Sequence, residues 1–423
     1  MKLAKKLIFR MLRGLQGGTL ELVCPHETYH FGLAQETAEA PLRAVIAVHD
    51  ESFFERALFG GDIGLGESYM QGEWSSPDLV AVIRLAVRSL SRLEQGNRLF
   101  SLLSRMANIA RHRLRENSIT GSRKNIHHHY DLGNEFYKLF LDPSMAYSCA
   151  YFEREDDALA LAQLQKFDRI CRKLRLSPED HLLEIGTGWG GFTVHAATRY
   201  GCRITTTTIS REQHDYAAEW FSEMGLSTGS HPKVSLLHED YRRLQGKYDK
   251  IVSIEMFEAV GLKHYDDYFG ACDRLLASHG TMLLQTININ EHTFPSYVRG
   301  CDWIQKYIFP GAELASLIEI QRSLTRCTGM RLYNAEDIGS HYAQTLNRWR
   351  SAFLDRLNEV RALGFDDVFI RMWDYYLAYC EGAFRERHIG DFQLLLSKKL
   401  HAARLMDEPW TDEDVRQSEY RHQ

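Results

Sequence analysis

The residues in this chain whose types and spacing can do chemistry begin with a glycine-rich turn. Leu182-Leu183-Glu184-Ile185 reads as a short buried strand running into Gly186-Thr187-Gly188-Trp189-Gly190-Gly191 and then a helix. Gly186, Gly188 and Gly190 let the backbone turn tightly and approach a ligand, because no Cβ intervenes. The helix that follows offers unpaired N–H groups and a partial positive charge to an anionic ligand group. By itself such a turn indicates only a nucleotide-like ligand. The next strand, Arg203–Thr208, narrows it. A dinucleotide-binding unit places Asp or Glu near that strand's end to hold ribose hydroxyls, and here Thr208-Ile209-Ser210 and Gln213 stand there. That speaks against NAD.

Further reactive types follow. Val234–His238 runs into Glu239-Asp240-Tyr241-Arg242, Asp249–Ile254 into Glu255–Glu258, and Gly280–Ile287 ends on Gln285-Thr286-Ile287. Upstream, Tyr147-Ser148-Cys149 offers a thiol, either a nucleophile or, with no activating base in view, a buried structural cysteine. Glu258 alone reads equally as a helix-start carboxylate. The consecutive histidines 127–129 cannot all face one metal and lack partner ligands at suitable spacing, so no metal site is expected.

Helical stretches at Glu212–Met224 and His264–Ala277 separate these strands. The βαβαβαβ order predicts an α/β fold, a parallel sheet with helices on both faces. Ligands of such sheets sit beyond the carboxyl ends of the strands, so one site is expected to collect the glycine loop, Thr208–Gln213, Asp240, Glu255–Glu258 and Gln285–Ile287. Residues 294–311 are predicted to form a partly helical cover carrying Trp303, Tyr307, Ile308 and Phe309. Long helices over 344–385 place Trp349, Phe353, Leu357, Phe369, Trp373 and Tyr376 at helical spacing, as a lid over an apolar pocket or as plain core. Phe392–Ser397 reads as a final strand closing the sheet.

The first 115 residues predict a smaller α+β accessory domain. Thr19–Val23, Thr28–Phe31 and Leu42–Val48 read as strands, and Ser52–Leu58 as a helix stopping at Gly60-Gly61. Gly64–Trp74 reads as a loop pressed on another surface, anchored by Tyr69 and Trp74. Lipid capture and homodimer contacts are both open for this half. Residues 1–15 form a basic amphipathic helix, either docked on the protein or lying on an anionic membrane. The basic stretch 105–124, a linker or a phosphate-attracting patch, puts the domain boundary at 115/116. A net charge of −5 over 423 residues argues against nucleic acid as a partner. Eight scattered cysteines without a C-x-x-C pair suit a reducing cytoplasm. No apolar run of about 20 residues is present to span a bilayer.

From about Arg123 to Leu400 the chain resembles the cyclopropane fatty acid synthases, including their mycolic acid versions. The resemblance rests on the ordered motifs HHHYDLGNEFYKLFLD, MAYSCAYF, LLEIGTGWGGF, TTISREQ, EDYRRL, MFEAVG, IQKYIFPG, HYAQTL and YYLAYCEGAFRERHIGDFQ. GLGESYMQGEW looks like the leading domain of the longer bacterial members. The resemblance implies a Rossmann-like class I methyltransferase with helical lid insertions, over residues 116–423. It implies S-adenosylmethionine held by Tyr147, Ser148, Glu184, Gly186, Gly188, Gly190, Thr208, Ser210, Gln213, Asp240, Tyr241 and Arg242. It implies methyl transfer to the cis double bond of an unsaturated phospholipid, by an enzyme on the inner, cytoplasmic face of a membrane. Bicarbonate is the family's proposed base, and its ligands map to Cys149, Glu258, Gln285, Ile287 (backbone) and Tyr342, with Glu258 accepting the bicarbonate hydrogen. Many bacterial members carry histidine where this chain has Gln285. Glutamine donates a hydrogen bond but carries no proton, so ring closure competes here with methyl-branched or methylene products.

Overall fold

The computed structural model describes residues 2–33, 42–96, 132–230 and 232–401, with side chains described throughout except at Lys2, Leu33 and 90–96. The basic stretch 105–124, the 115/116 boundary and histidines 127–129 lie outside the described residues. Two sheets organise the rest. The larger follows the order β10-β11-β9-β8-β5-β6-β7, with β5 His181–Ile185, β6 Arg203–Thr207, β7 Val234–Leu237, β8 Tyr248–Ile254, β9 Leu276–Ile289, β10 Met330–Asp337 and β11 Ile389–Lys398. Strands β5 to β9 pair in parallel. Their apolar residues are buried on both faces, as expected where helices cover both.

Strand β11 pairs antiparallel with β9, yet it does not close the sheet. β10 lies outside it as the edge strand. Its sequence, Met330-Arg331-Leu332-Tyr333-Asn334-Ala335-Glu336-Asp337, alternates poorly and is mostly solvent-facing, which is why it escapes a hydrophobic-pattern reading.

The smaller sheet has the order β2-β1-β3-β4, from β1 Gly18–Val23, β2 Thr28–Leu33, β3 Arg43–Val48 and β4 Trp74–Ser75. Helix α1, Lys2–Leu12, docks on it. Ala4 and Ile8 are buried, and Phe9 meets the edges of Tyr29, Phe31 and Phe54. The Lys5 ammonium lies 5.1–5.5 Å from the ring centroids of Phe9, Tyr29 and Phe54, within cation–π range.

Helix α2, Ser52–Met70, corrects the expected stop and loop. The chain breaks direction at Gly61 (φ 59°, ψ −134°) and then continues as helix to Met70. The glycines that suggested a loop serve close packing instead. A Cβ on Gly64 would lie 2.0 Å from the Arg56 carbonyl oxygen, and one on Gly66 2.4 Å from the Trp303 indole. The two proposed anchors are buried and pack together, ring centroids 5.0 Å apart. Tyr69 also donates to Asp374 (2.6 Å), which accepts from Arg350 as well.

These contacts fasten the small sheet to the Asp367–Arg385 helix. Helix α3, Leu79–Gly96, crosses the same helix at Gly382, where a Cβ would meet Ile83 at 2.7 Å. Arg84 and Arg88 both grip Glu386 at 2.6 Å. Trp349, Phe353 and Trp373 are fully buried, and Phe136 meets Phe353, Phe369 and Trp373 edge to face. They are core; of the six aromatic and apolar residues expected over 344–385, Tyr376 alone reaches the cavity described below. Among the described residues no helix is long and apolar enough to cross a membrane.

Replacing glycine by alanine inside a helix normally stabilises by about 0.5–1 kcal/mol. At Gly66 the added methyl enters the Trp303 ring, and overpacking costs about 1–3 kcal/mol. Urea unfolding of Gly66→Ala should therefore show a net loss of stability. A gain would show that Trp303 yields without cost.

Candidate functional site

One cavity of about 1320 Å³ opens at the carboxyl ends of β5, β6, β8 and β9. Its wall begins at the glycine loop. Gly186, Gly188 and Gly190 all have positive φ (100°, 53° and 100°). At Gly190 closeness also excludes a side chain, since a Cβ would lie 2.7 Å from the Phe221 ring. Below the loop, Glu184 is buried and accepts from the Thr193 and Thr206 hydroxyls, each at 2.5 Å. Burial pushes its pKa up to about 7, against the pull of those two donors.

Thr208 and Gln213 face the same cavity. Thr208 Oγ1 donates to Gln213 Oε1 (3.2 Å) and accepts from the Ser210 amide. Ser210 itself is turned to the Arg211–Glu223 helix as its N-cap, accepting from the Gln213 amide, and is not part of the cavity wall. Asp240, Tyr241 and Arg242 complete this end. Asp240 clamps Arg242, accepting from its Nε at 2.8 Å and its Nη2 at 2.7 Å. The loop cradle, the paired Thr208–Gln213 and the Asp240–Arg242 clamp line one cavity and offer it backbone amides, neutral polar groups and an ion pair, a set that could hold the cofactor the resemblance implies.

Tyr147 and Ser148 line the same space from the opposite side. The Tyr147 hydroxyl shares a 2.8 Å hydrogen bond with that of Tyr376. Ser148 Oγ accepts from Lys166 Nζ at 2.7 Å. Lys166 is fully buried, and burial lowers its pKa against the pull of Glu255, Cys149, Asp142 and Asp391. The sequence reading missed this lysine. Its signal is spacing: Ala162, Lys166 and Ile170 fall on one buried stripe of the Leu159–Leu174 helix.

The residues expected to ligate bicarbonate divide into two groups. The Cys149 amide (2.8 Å), Gln285 Nε2 (2.9 Å) and the Tyr342 hydroxyl (2.6 Å) all donate to the carboxylate of Glu255. The Ile287 amide (2.5 Å) and the Thr286 hydroxyl (2.9 Å) both donate to Glu258 Oε1. The first group's donors converge on one anion, and a side chain of the protein already supplies it. Bicarbonate does not fit this arrangement, because its seat is filled.

Glu258 also departs from the acceptor role. Burial and the neighbouring Glu255 charge push its pKa up to about 8, so it holds a proton at neutral pH. Its Oε2 is buried without a hydrogen-bond partner among the described residues. The Cys149 thiol is fully buried, donates to the Ala150 carbonyl oxygen (3.2 Å), and is driven far up in pKa by burial. That is a structural thiol and not a nucleophile.

Asp391 and Glu255 are the acidic residues whose importance sequence reasoning missed. Gln285 Nε2 bridges them at 2.9 Å to each, and its Oε1 accepts from Gln393. Burial raises the pKa of both members of this pair, and Asp391, fully buried and facing Glu255, is raised well above the ordinary carboxylate value, so Asp391 is the one that keeps its proton. Glu255 had entered only as a strand-end residue, and nothing in the sequence marks its unusual backbone.

With this geometry in hand, comparison with known proteins is direct. A sequence model of the family "Mycolic acid cyclopropane synthetase" matches residues 117–394. The chain is 36% identical over 378 residues to the tuberculostearic acid methyltransferase UfaA1 of Mycobacterium tuberculosis, covering 88% of this chain and 87% of that one. It is 37% identical to the cyclopropane-fatty-acyl-phospholipid synthase of Escherichia coli K12, covering 84% and 88%. Among solved structures, the M. tuberculosis mycolic acid cyclopropane synthase CmaA1 complexed with SAH and CTAB superimposes with a TM-score of 0.59 at 31% identity. That match covers 65% of this chain and 98% of that one. The glycine-loop cavity and these matches agree, and the chain belongs to the mycolic acid cyclopropane synthetase family of S-adenosylmethionine-dependent methyltransferases.

Proposed function

We propose that this enzyme methylates the cis double bond of an unsaturated phospholipid acyl chain, working at the inner face of a membrane. The observation that supports this reading is the continuity of the cavity. The wall that includes the glycine loop also includes Ile8, Leu12, Leu20, Leu22 and Phe53 of the small sheet and its helices. Cofactor loop and a long apolar recess thus share one space, which suits a reactive sulfonium and an acyl chain meeting inside the protein. The N-terminal residues 1–115 act, in this reading, as an accessory domain that supplies the recess. The relatives' names point the same way, toward fatty acyl and phospholipid substrates.

The bound cofactor supplies an electrophilic methyl group. The chain's own residues do the rest. The loop and the Thr208–Gln213 pair orient the cofactor, and the apolar wall excludes water from the cation that forms on the acyl chain. Tyr147, Tyr342 and Tyr376 present rings or hydroxyls to the cavity, and aromatic faces stabilise a transient cation. Cyclopropane is the first product expected. A methyl-branched or methylene chain is the second, favoured by Gln285, which carries no proton onward.

Methyl-labelled cofactor incubated with vesicles of cis-unsaturated phospholipid should label the lipid, and vesicles of saturated lipid should stay unlabelled. Cofactor binding without label in either would remove this reading. Proton NMR of the labelled lipid then separates ring from methylene or branch.

Glu258→Gln keeps a neutral side chain that accepts from the Ile287 amide and the Thr286 hydroxyl, so turnover and cofactor affinity should both stay near the wild type. It also carries a pH signature. Folding raises the Glu258 pKa from 4.5 to about 8, so the folded state holds this proton more tightly than the unfolded one. Its contribution is therefore fully present below 4.5 and is lost as pH rises through about 8. The glutamine variant lacks that dependence. Urea unfolding should show Glu258→Gln gaining on the wild type as pH rises across this window; a constant difference would contradict the assignment.

A further inference from the structure

Glu255 was expected at this site only as a strand-end residue, with no role assigned to it. It sits between β8 and the Glu258 turn with φ at +49°, a left-handed conformation that glycine adopts freely and glutamate does not. Its amide is tied to the Gln285 carbonyl oxygen at 2.9 Å, which fixes the backbone in that state. Strained backbone of this kind persists where the surroundings over-determine it, typically at functional sites.

The strain places the carboxylate at the meeting point of donors from three separate segments. Oε1 accepts from the Cys149 amide and from Gln285 Nε2, which uses both of its lone-pair positions. Oε2 accepts from the Tyr342 hydroxyl, and the protonated Asp391 carboxyl hydrogen-bonds the same carboxylate. The carboxylate also lines the cavity and is the only half-accessible member of its acidic cluster, since Glu258 and Asp391 are buried. The ionisable groups around it are Lys166, Tyr342, Cys149, Glu258 and Asp391. Lys166 supplies the positive charge, while Asp391 and Glu258 hold protons. Burial raises the Glu255 pKa too, but the Tyr342, Cys149 and Gln285 donors and the Lys166 charge pull it back, so of this cluster Glu255 is the carboxylate best placed to carry the negative charge.

We propose that Glu255 is the fixed anion and general base of the reaction, a built-in carboxylate in place of dissolved bicarbonate. This rests on the functional reading above. In the reaction the alkene π pair forms the bond to the methyl carbon as the sulfur–methyl bond breaks, leaving a neutral thioether and a carbocation on the acyl chain. The Glu255 carboxylate, which lines the cavity, then takes one proton. Taken from the new methyl, its C–H pair closes the three-membered ring; taken after a hydride shift, it leaves an exocyclic double bond. Glu255 ends protonated and returns its proton to solvent. A carboxylate held by three preorganised donors stabilises the cation without reorganising.

The test compares wild type, Glu255→Gln and Glu255→Gly in the lipid-labelling assay, in buffer freed of carbon dioxide and in buffer with added bicarbonate. The wild type should turn over equally in both. Glu255→Gln, nearly isosteric, should lose at least about 100-fold in turnover and bind S-adenosylhomocysteine within about threefold of wild type by calorimetry. Glu255→Gly empties the seat and relaxes the backbone, and bicarbonate but not chloride should restore its activity. A wild-type rate that falls when bicarbonate is removed, or full turnover by Glu255→Gln, would overturn the proposal while leaving the lipid methyltransferase reading intact. A wild type that binds cofactor and labels no lipid would overturn both.

Discussion

Glu184, Glu255, Glu258 and Asp391 are gathered around the cavity's inner end with one buried lysine, Lys166, for company. Burial disfavours each charge by several kcal/mol unless hydrogen bonds or an opposite charge offset it. Much of the site's architecture answers that demand. Thr193 and Thr206 serve Glu184, while Thr286 and the Ile287 amide serve Glu258. Gln285 is shared between Glu255 and Asp391. Burial pushes all four toward their neutral forms, and on Glu255 three donors and the Lys166 charge pull against that push.

Holding such a cluster dry requires walls that do not breathe, and the packing beyond the cavity provides them. The small sheet and its helices are not hung on the catalytic sheet by a surface contact. Gly66 seats the Trp303 indole and Gly382 seats Ile83, so two helix crossings bring backbones within the width of a missing methyl group. The Tyr69–Asp374–Arg350 chain and the double grip of Arg84 and Arg88 on Glu386 fix the same interface with charge-assisted bonds. The cavity's apolar recess is lined by Ile8, Leu20, Leu22 and Phe53 of the small sheet and its helices. The N-terminal half is therefore part of the cavity wall.

The parallel strands were legible because each is a short apolar or β-branched run bounded by turn residues, and the glycine loop because its three glycines follow such a run directly. The cavity residues Thr208, Gln213 and Asp240 followed from strand order, and Tyr241 and Arg242 from the family resemblance. Edge strand β10 was not legible, since an edge facing water has no alternation to read. Gly64 and Gly66 misled because glycine in a loop and glycine at a helix crossing look alike along a chain. Ser210 turned out to cap a helix. Lys166 reads as a solvated lysine until its neighbours at i ± 4 are known to be buried. Glu255 was hidden most deeply: its role depends on donors 106, 30 and 87 residues away and on a backbone state that sequence pattern does not encode.

The central claim is that the donors around Glu255 hold a side-chain anion and no dissolved one. A crystal structure with S-adenosylhomocysteine and a single-chain alkyl amphiphile, grown in excess bicarbonate, tests it most directly. The account predicts that Cys149, Gln285 and Tyr342 keep their bonds to Glu255, with the alkyl chain running past Oε2 toward the recess beneath α1. A carbonate-shaped ion on those three donors, with Glu255 swung aside, would contradict it.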